Sequence, residues 1–155
     1  MSNGFYFAHT MLRVKDLKAS LKFYVDVLGM SVVKKTDHEN GKFSLCFLTF
    51  LKEGEVIPQD PAEHKKWLAT KGGVLELTHN WGTENDPNFS YNTGNGENGG
   101  FGHIAISVPD LATAVKKMDE AGVKFKKRPE EGRMRDIAFV FDPDGYWVEL
   151  ITQFN

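Results

Sequence analysis

The stretch Phe101-Gly102-His103-Ile104-Ala105-Ile106-Ser107-Val108-Pro109-Asp110-Leu111 alternates like a strand, stops at Pro109 and passes to a helix capped by Asp110. The same order occurs once earlier, in Phe7-Ala8-His9-Thr10-Met11-Leu12-Arg13-Val14-Lys15-Asp16-Leu17. In each copy a His holds the third position and an Asp follows seven residues later. On a strand His9, Met11 and Arg13 share one face, while Thr10, Leu12 and Val14 take the other. Apolar residues then recur at helical spacing: Leu17, Leu21, Tyr24 and Leu28 in the first copy, Leu111, Ala114, Val115, Met118 and Ala121 in the second. Gly29 and Gly122 follow, each suited to the left-handed position that ends a helix. Strands are predicted over residues 5–14, 30–35, 43–50 and 74–78, then over 101–108, 123–127, 137–141 and 146–152. Residues 38–41 and 142–145 read as turns.

Each half therefore reads as a βαβββ module, the first over residues 5–79 and the second over 101–153. The first carries an insert, 53–73, with a short helix predicted at 62–70, where His64 beside Lys65 and Lys66 is expected to be solvated. Residues 80–100, with five Gly and six Asn, form the connecting loop. Its Trp81, Phe89 and Tyr91 are expected to hold it against the protein. The 155 residues are expected to form a single α+β domain of two modules, whose curled mixed sheets enclose a cleft.

Composition narrows the partners. A net charge of −2 gives no global attraction to nucleic acid or anionic membrane, and no apolar run approaches a membrane span or a signal-peptide pattern. With Cys46 as the single cysteine no internal disulfide is expected, which suits a reducing cytoplasm, and its apolar surroundings predict a buried, inert thiol.

The closing strand of each half carries one Glu among apolar residues: Val74-Leu75-Glu76-Leu77 and Tyr146-Trp147-Val148-Glu149-Leu150-Ile151. His103 and Glu149 stand 46 residues apart, His9 and Glu76 67, and the insert makes up the difference. Glu149 shares a strand face with Trp147 and Ile151, expected to be core-facing, where a carboxylate is costly unless paired with a cation. A lone strand His or Glu is ordinarily a structural residue; the repetition of both favours a metal site. Two imidazoles and two carboxylates suit divalent Zn, Ni, Fe, Mn or Co. Four such ligands leave positions open in an octahedral sphere, which favours catalysis over a closed structural site.

Three groups of residues carry a family resemblance. The first is Thr10-Met11-Leu12-Arg13-Val14-Lys15-Asp16 with Ser20-Leu21-Lys22-Phe23-Tyr24 and Val27-Leu28-Gly29-Met30. The second is Leu75-Glu76-Leu77-Thr78-His79-Asn80-Trp81-Gly82-Thr83-Glu84. The third is Gly100-Phe101-Gly102-His103-Ile104 with Asp142-Pro143-Asp144-Gly145-Tyr146-Trp147-Val148-Glu149. Together they resemble glyoxalase I, the lactoylglutathione lyases of the vicinal oxygen chelate superfamily. The resemblance implies a homodimer with active sites at the subunit interface, each metal lying between the first module of one subunit and the second module of the other. It implies isomerisation of the methylglyoxal–glutathione hemithioacetal to S-D-lactoylglutathione through an enediolate. The family's metal ligands fall on His9, Glu76, His103 and Glu149, and its proton-transfer base on Glu149. His9 stands where some members have Gln. The substrate contacts fall on Arg13 and Asn80 for the γ-glutamyl end and on Arg133 and Met134 near the glycyl carboxylate, with Lys127 as a further candidate and His103 beside the substrate as well. Gly99 replaces an Arg of some members, which leaves the thiol cosubstrate open. The insert and the long loop resemble zinc-activated forms, so Zn²⁺ is expected, with Ni²⁺ or Co²⁺ as alternatives. Two rival readings share the fold: an Fe(II) extradiol dioxygenase, disfavoured by the second Glu, and a metal-free ligand-sequestering dimer, disfavoured by the four retained ligands.

Overall fold

The computed structural model describes residues 3–153; the remaining ends of the expected 1–155 domain lie outside the described residues. The chain divides into two compact units, Met1–Phe89 and Ser90–Asn155.

The first unit runs β1 (Thr10–Arg13), α1 (Leu17–Leu21), β2 (Ser31–His38), β3 (Phe43–Thr49), α2 (Pro61–Thr70) and β4 (Leu75–Asn80). Its four strands lie in the order β1-β4-β3-β2, with β1 parallel to β4 and the other pairs antiparallel. The second unit repeats this plan with β5 (His103–Val108), α3 (Leu111–Glu120), β6 (Phe125–Lys127), β7 (Ile137–Phe141) and β8 (Trp147–Thr152), in the order β5-β8-β7-β6. Again the first and last strands pair parallel and the rest antiparallel. This is the tandem βαβββ architecture expected from the sequence.

Asp16 and Asp110 start the helices as read. The Asp16 carboxylate accepts from the Lys18 and Ala19 amides, and that of Asp110 from the Thr113 amide. The Thr113 hydrogen bonds hold the Asp110 carboxyl below its ordinary range. Beyond Leu21 the first helix widens into a π-helical segment, Lys22–Val27, which the apolar spacing did not foretell. Both helices end through a left-handed glycine: Gly29 has φ +89° and Gly122 φ +68°. Val123 N–H then reaches back to the Met118 carbonyl and Gly122 N–H to that of Asp119.

The helices cover one face of each sheet. In the first unit Leu12, Val14, Cys46, Leu48, Leu75 and Leu77 are buried there with Phe23 and Tyr24. In the second, Ala138, Val140, Val148 and Leu150 are buried with Leu111 and Met118. Burial pushes the Cys46 thiol up to about 11.

The insert organises itself around Glu55. Its carboxylate takes both oxygens to Lys71 Nζ at 2.7 and 2.6 Å, and accepts from the Trp67 indole and the Lys52 amide. The Lys71 hydrogen bonds, followed by that from Lys52, bring the Glu55 carboxyl down to about 2. His64 is half-buried, not solvated as expected. Its Nε2 lies 2.9 Å from the Val33 carbonyl, so α2 is pinned to β2 by this residue. Among the described residues no helix is long and apolar enough to cross a membrane.

Candidate functional site

Strand alternation sends the neighbours of the buried leucines to the opposite face. Glu76 stands between Leu75 and Leu77, both buried, and Glu149 between Val148 and Leu150, both fully buried. The glutamates therefore lie on the face the helices leave uncovered. This corrects the expectation that Glu149 is core-facing: α3 packs against β7 and β8 on the Val148 side, so the Trp147-Glu149-Ile151 side stays half-open.

Each glutamate meets the His of its own unit. His9 Nε2 is 2.6 Å from Glu76 Oε2, and His103 Nε2 is 3.2 Å from Glu149 Oε2. The register behind the two pairs is the same. Met11 lies opposite Glu76 and Ala105 opposite Glu149, and in both cases the His is two residues earlier. The imidazoles are 39% exposed, while the carboxylates are only 12% and 17% exposed. Among the described residues no Lys or Arg forms a salt bridge with either glutamate. A largely buried carboxylate whose ionic partner is one imidazole retains lone pairs for a cation. Each unit thus offers one nitrogen and one oxygen donor side by side, the donor chemistry of an intermediate divalent metal.

A third residue joins each pair that reading single strands did not find. Phe47 on β3 lies opposite Glu76, and Phe139 on β7 lies opposite Glu149. Each ring meets its imidazole edge-on, at 5.5 Å between centroids for His9–Phe47 and 5.1 Å for His103–Phe139. Each phenyl ring lines one side of its imidazole. One strand further, Lys34 lies opposite Phe47 and Lys127 opposite Phe139, so the two sheets present the same row of Glu, Phe and Lys.

The other expected site residues lie at strand ends and in connections. Arg13 is exposed on the face of His9, at the end of β1. Asn80 is exposed at the end of β4, opposite Phe43. The turn that follows it is tightly tied. His79 Nε2 lies 2.8 Å from Glu84 Oε2, which also accepts from Gly82 N–H at 2.8 Å. The Trp81 indole donates to Ser44 Oγ, which donates to Asp37. The Thr83 hydroxyl donates to the Lys15 carbonyl. Backbone N–H groups and His79 hold the Glu84 carboxyl below its ordinary range. Further along, Gly94 packs so closely on Phe101 that an added Cβ would fall 2.1 Å from its carbonyl oxygen, and its φ is +92°. Arg133 and Met134 are exposed in the connection between β6 and β7. Lys127 is half-buried, its ammonium turned to three backbone carbonyls of that connection.

Two βαβββ units with one His–Glu pair each, in the same register, define a two-module fold of the vicinal-oxygen-chelate type. The family model described as Glyoxalase/Bleomycin resistance protein/Dioxygenase superfamily matches residues 6–150. A lactoylglutathione lyase of Pseudomonas putida is 50% identical over 147 residues, covering 95% of this chain and 84% of the relative. A glyoxalase I of Saccharomyces cerevisiae is 50% identical over 145 residues, covering 93% of this chain and 44% of the relative. The solved structure of the trypanothione-dependent glyoxalase I of Leishmania major superposes with a TM-score of 0.68 at 36% identity, covering 94% of this chain and 85% of that one. The chain belongs to this superfamily and, within it, to the lactoylglutathione lyases, the glyoxalase I family.

Proposed function

We propose that this chain catalyses the lactoylglutathione lyase reaction, converting the hemithioacetal of methylglyoxal and glutathione to S-D-lactoylglutathione. The observation that carries the reading is the repeated His–Glu pair, 2.6 and 3.2 Å apart in the two units, on the uncovered face of each sheet. His9, Glu76, His103 and Glu149 would hold one divalent ion. Zn²⁺ is our choice, with Ni²⁺ and Co²⁺ as alternatives. The bound ion supplies Lewis-acid stabilisation of the negative charge that develops on the substrate oxygens.

The protein's own groups do the rest. The reaction moves one proton from C1 of the hemithioacetal to C2 and leaves the redox balance unchanged. Glu149 takes the proton at Oε and returns it to the neighbouring carbon. Its small exposure limits exchange of that proton with water. Phe139 lines one side of the His103 ring. Arg13 and Asn80 hold the γ-glutamyl end of the thiol, and Arg133 and Met134 receive the glycyl end. The working unit is a homodimer in which the first module of one subunit faces the second module of its partner. The buried single thiol suits a cytoplasmic enzyme.

The test is lactoylthioester formation from methylglyoxal with glutathione and, in parallel, with other thiols. It is run on protein stripped by chelator and then reloaded with Zn²⁺, Ni²⁺ or Co²⁺. We expect no turnover after stripping and recovery with at least one ion. Full activity in stripped, metal-free protein, or none with any thiol after reloading, would refute the proposal.

A further inference from the structure

We infer that Lys127 is a positioning residue that clasps the β6–β7 connection and so sets where Arg133 and Met134 stand. The inference rests on the glutathione reading above and reassigns Lys127 within it. In the first unit the equivalent connection, between His38 and Phe43, is a four-residue turn. In the second, nine residues separate Lys127 from Ile137, and they contain no helix or strand of their own. A connection of that length, carrying two residues meant for the substrate, needs internal ties to hold one shape.

The lysine at the matching row position behaves differently in the two units. Lys34 extends over the Phe47 ring, 5.8 Å from its centroid. Lys127 does not project over Phe139. Its ammonium donates to the carbonyls of Arg128 at 3.1 Å, Met134 at 2.5 Å and Ile137 at 3.3 Å. An ammonium has three donors, and three carbonyls use them all. They lie at the start of the connection, at Met134 itself and at its end, so one side chain closes the loop. The stem of Lys127 also passes under the loop, where a Cβ at Gly132 would stand 3.9 Å from its Cε. Two ties help at the entry. Arg128 N–H donates to Glu131 at 2.8 Å, and the Arg128 guanidinium is ion-paired with Asp119 on α3. Removing the ammonium leaves the Met134 carbonyl without that donor while Arg133 and Met134 keep their side chains.

The experiment compares metal-loaded enzyme with K127M, which keeps the stem and loses the donors. Amide hydrogen exchange of residues 129–136 is measured without ligand. Binding of S-methylglutathione is measured by calorimetry, and KM and kcat are measured with the methylglyoxal adduct. We expect faster exchange in ligand-free K127M, binding weakened roughly tenfold, KM raised alike and kcat nearly unchanged. K127R, which keeps charged donors, should recover part of both effects. Unchanged exchange in ligand-free K127M overturns the inference and returns Lys127 to direct contact with a carboxylate. Faster exchange with unaltered binding also overturns it, since the clasp then serves no site. If the unmodified protein neither binds S-methylglutathione nor turns over the adduct, the glutathione reading falls and the positioning role falls with it.

Discussion

In the proposed reaction, replacing Glu149 by Gln removes the base, and the metal content of the variant separates that loss from a weakened hold on the ion. The two side chains have the same shape, and the Gln amide can still hydrogen-bond to His103 Nε2, 3.2 Å away in the native pair. The flanking Val148 and Leu150, both fully buried, are untouched. The fold should therefore lose less than about 1 kcal/mol, a shift in thermal midpoint of at most roughly 2–4 °C for a chain of this length. What disappears is the base. General-base participation contributes roughly 10²- to 10⁴-fold, equivalent to about 2.7–5.4 kcal/mol of barrier. The assay is thioester formation at saturating hemithioacetal, with thermal melting and metal content measured on the same preparation. Glu76→Gln is the matched control, because Glu76 occupies the same register position in the first unit. We expect Glu149→Gln to melt normally and lose orders of magnitude in kcat. If it turns over at close to the native rate while Glu76→Gln loses activity, the base is Glu76 and our assignment is wrong.

Three further outcomes are expected. The Glu55 carboxyl is lowered to about 2 from an ordinary 4.5, so its contribution to the insert is complete above the ordinary value and is lost as pH falls toward 2. The Trp67 indole resonance should follow that loss, and Glu55→Gln should show the loosened signal already at neutral pH. Leu77→Ala removes a fully buried side chain lying between Leu12 and Cys46 in the sheet, and should cost about 3 kcal/mol, read as a drop in thermal midpoint of roughly 10 °C. Cys46, fully buried with its thiol pushed up to about 11, should resist iodoacetamide in the native protein at mildly alkaline pH and react once denaturant is added.

The repeat made much of this legible before any coordinates. The capping Asp16 and Asp110 and the terminating Gly29 and Gly122 are local features, and local geometry placed them where they were read. The orientation of the sheets was not legible in the same way. Period two says that Glu149 and Val148 face opposite sides, but it does not say which side the helix takes. Phe47 and Phe139 escaped notice because cross-strand register is set by pairing between strands, and neither strand alone announces its partner. His64 was misjudged for a related reason: its lysine neighbours are exposed, but its own ring turns to a carbonyl on β2, thirty-one positions away in the chain. Lys127 reads in the sequence as a further substrate contact, and only the fold sets its ammonium against three backbone carbonyls.

In each unit the His–Glu pair joins the start of the opening strand to the closing strand, β1 with β4 and β5 with β8, which meet only when everything between them is in place. His9 and Glu76 stand 67 positions apart in the chain, and His103 and Glu149 46. Such long-range closure comes late in folding, because its entropic cost falls due before the contact forms. A nascent or clipped fragment consequently displays the imidazole and the carboxylate apart, and each pair arises only in a finished module.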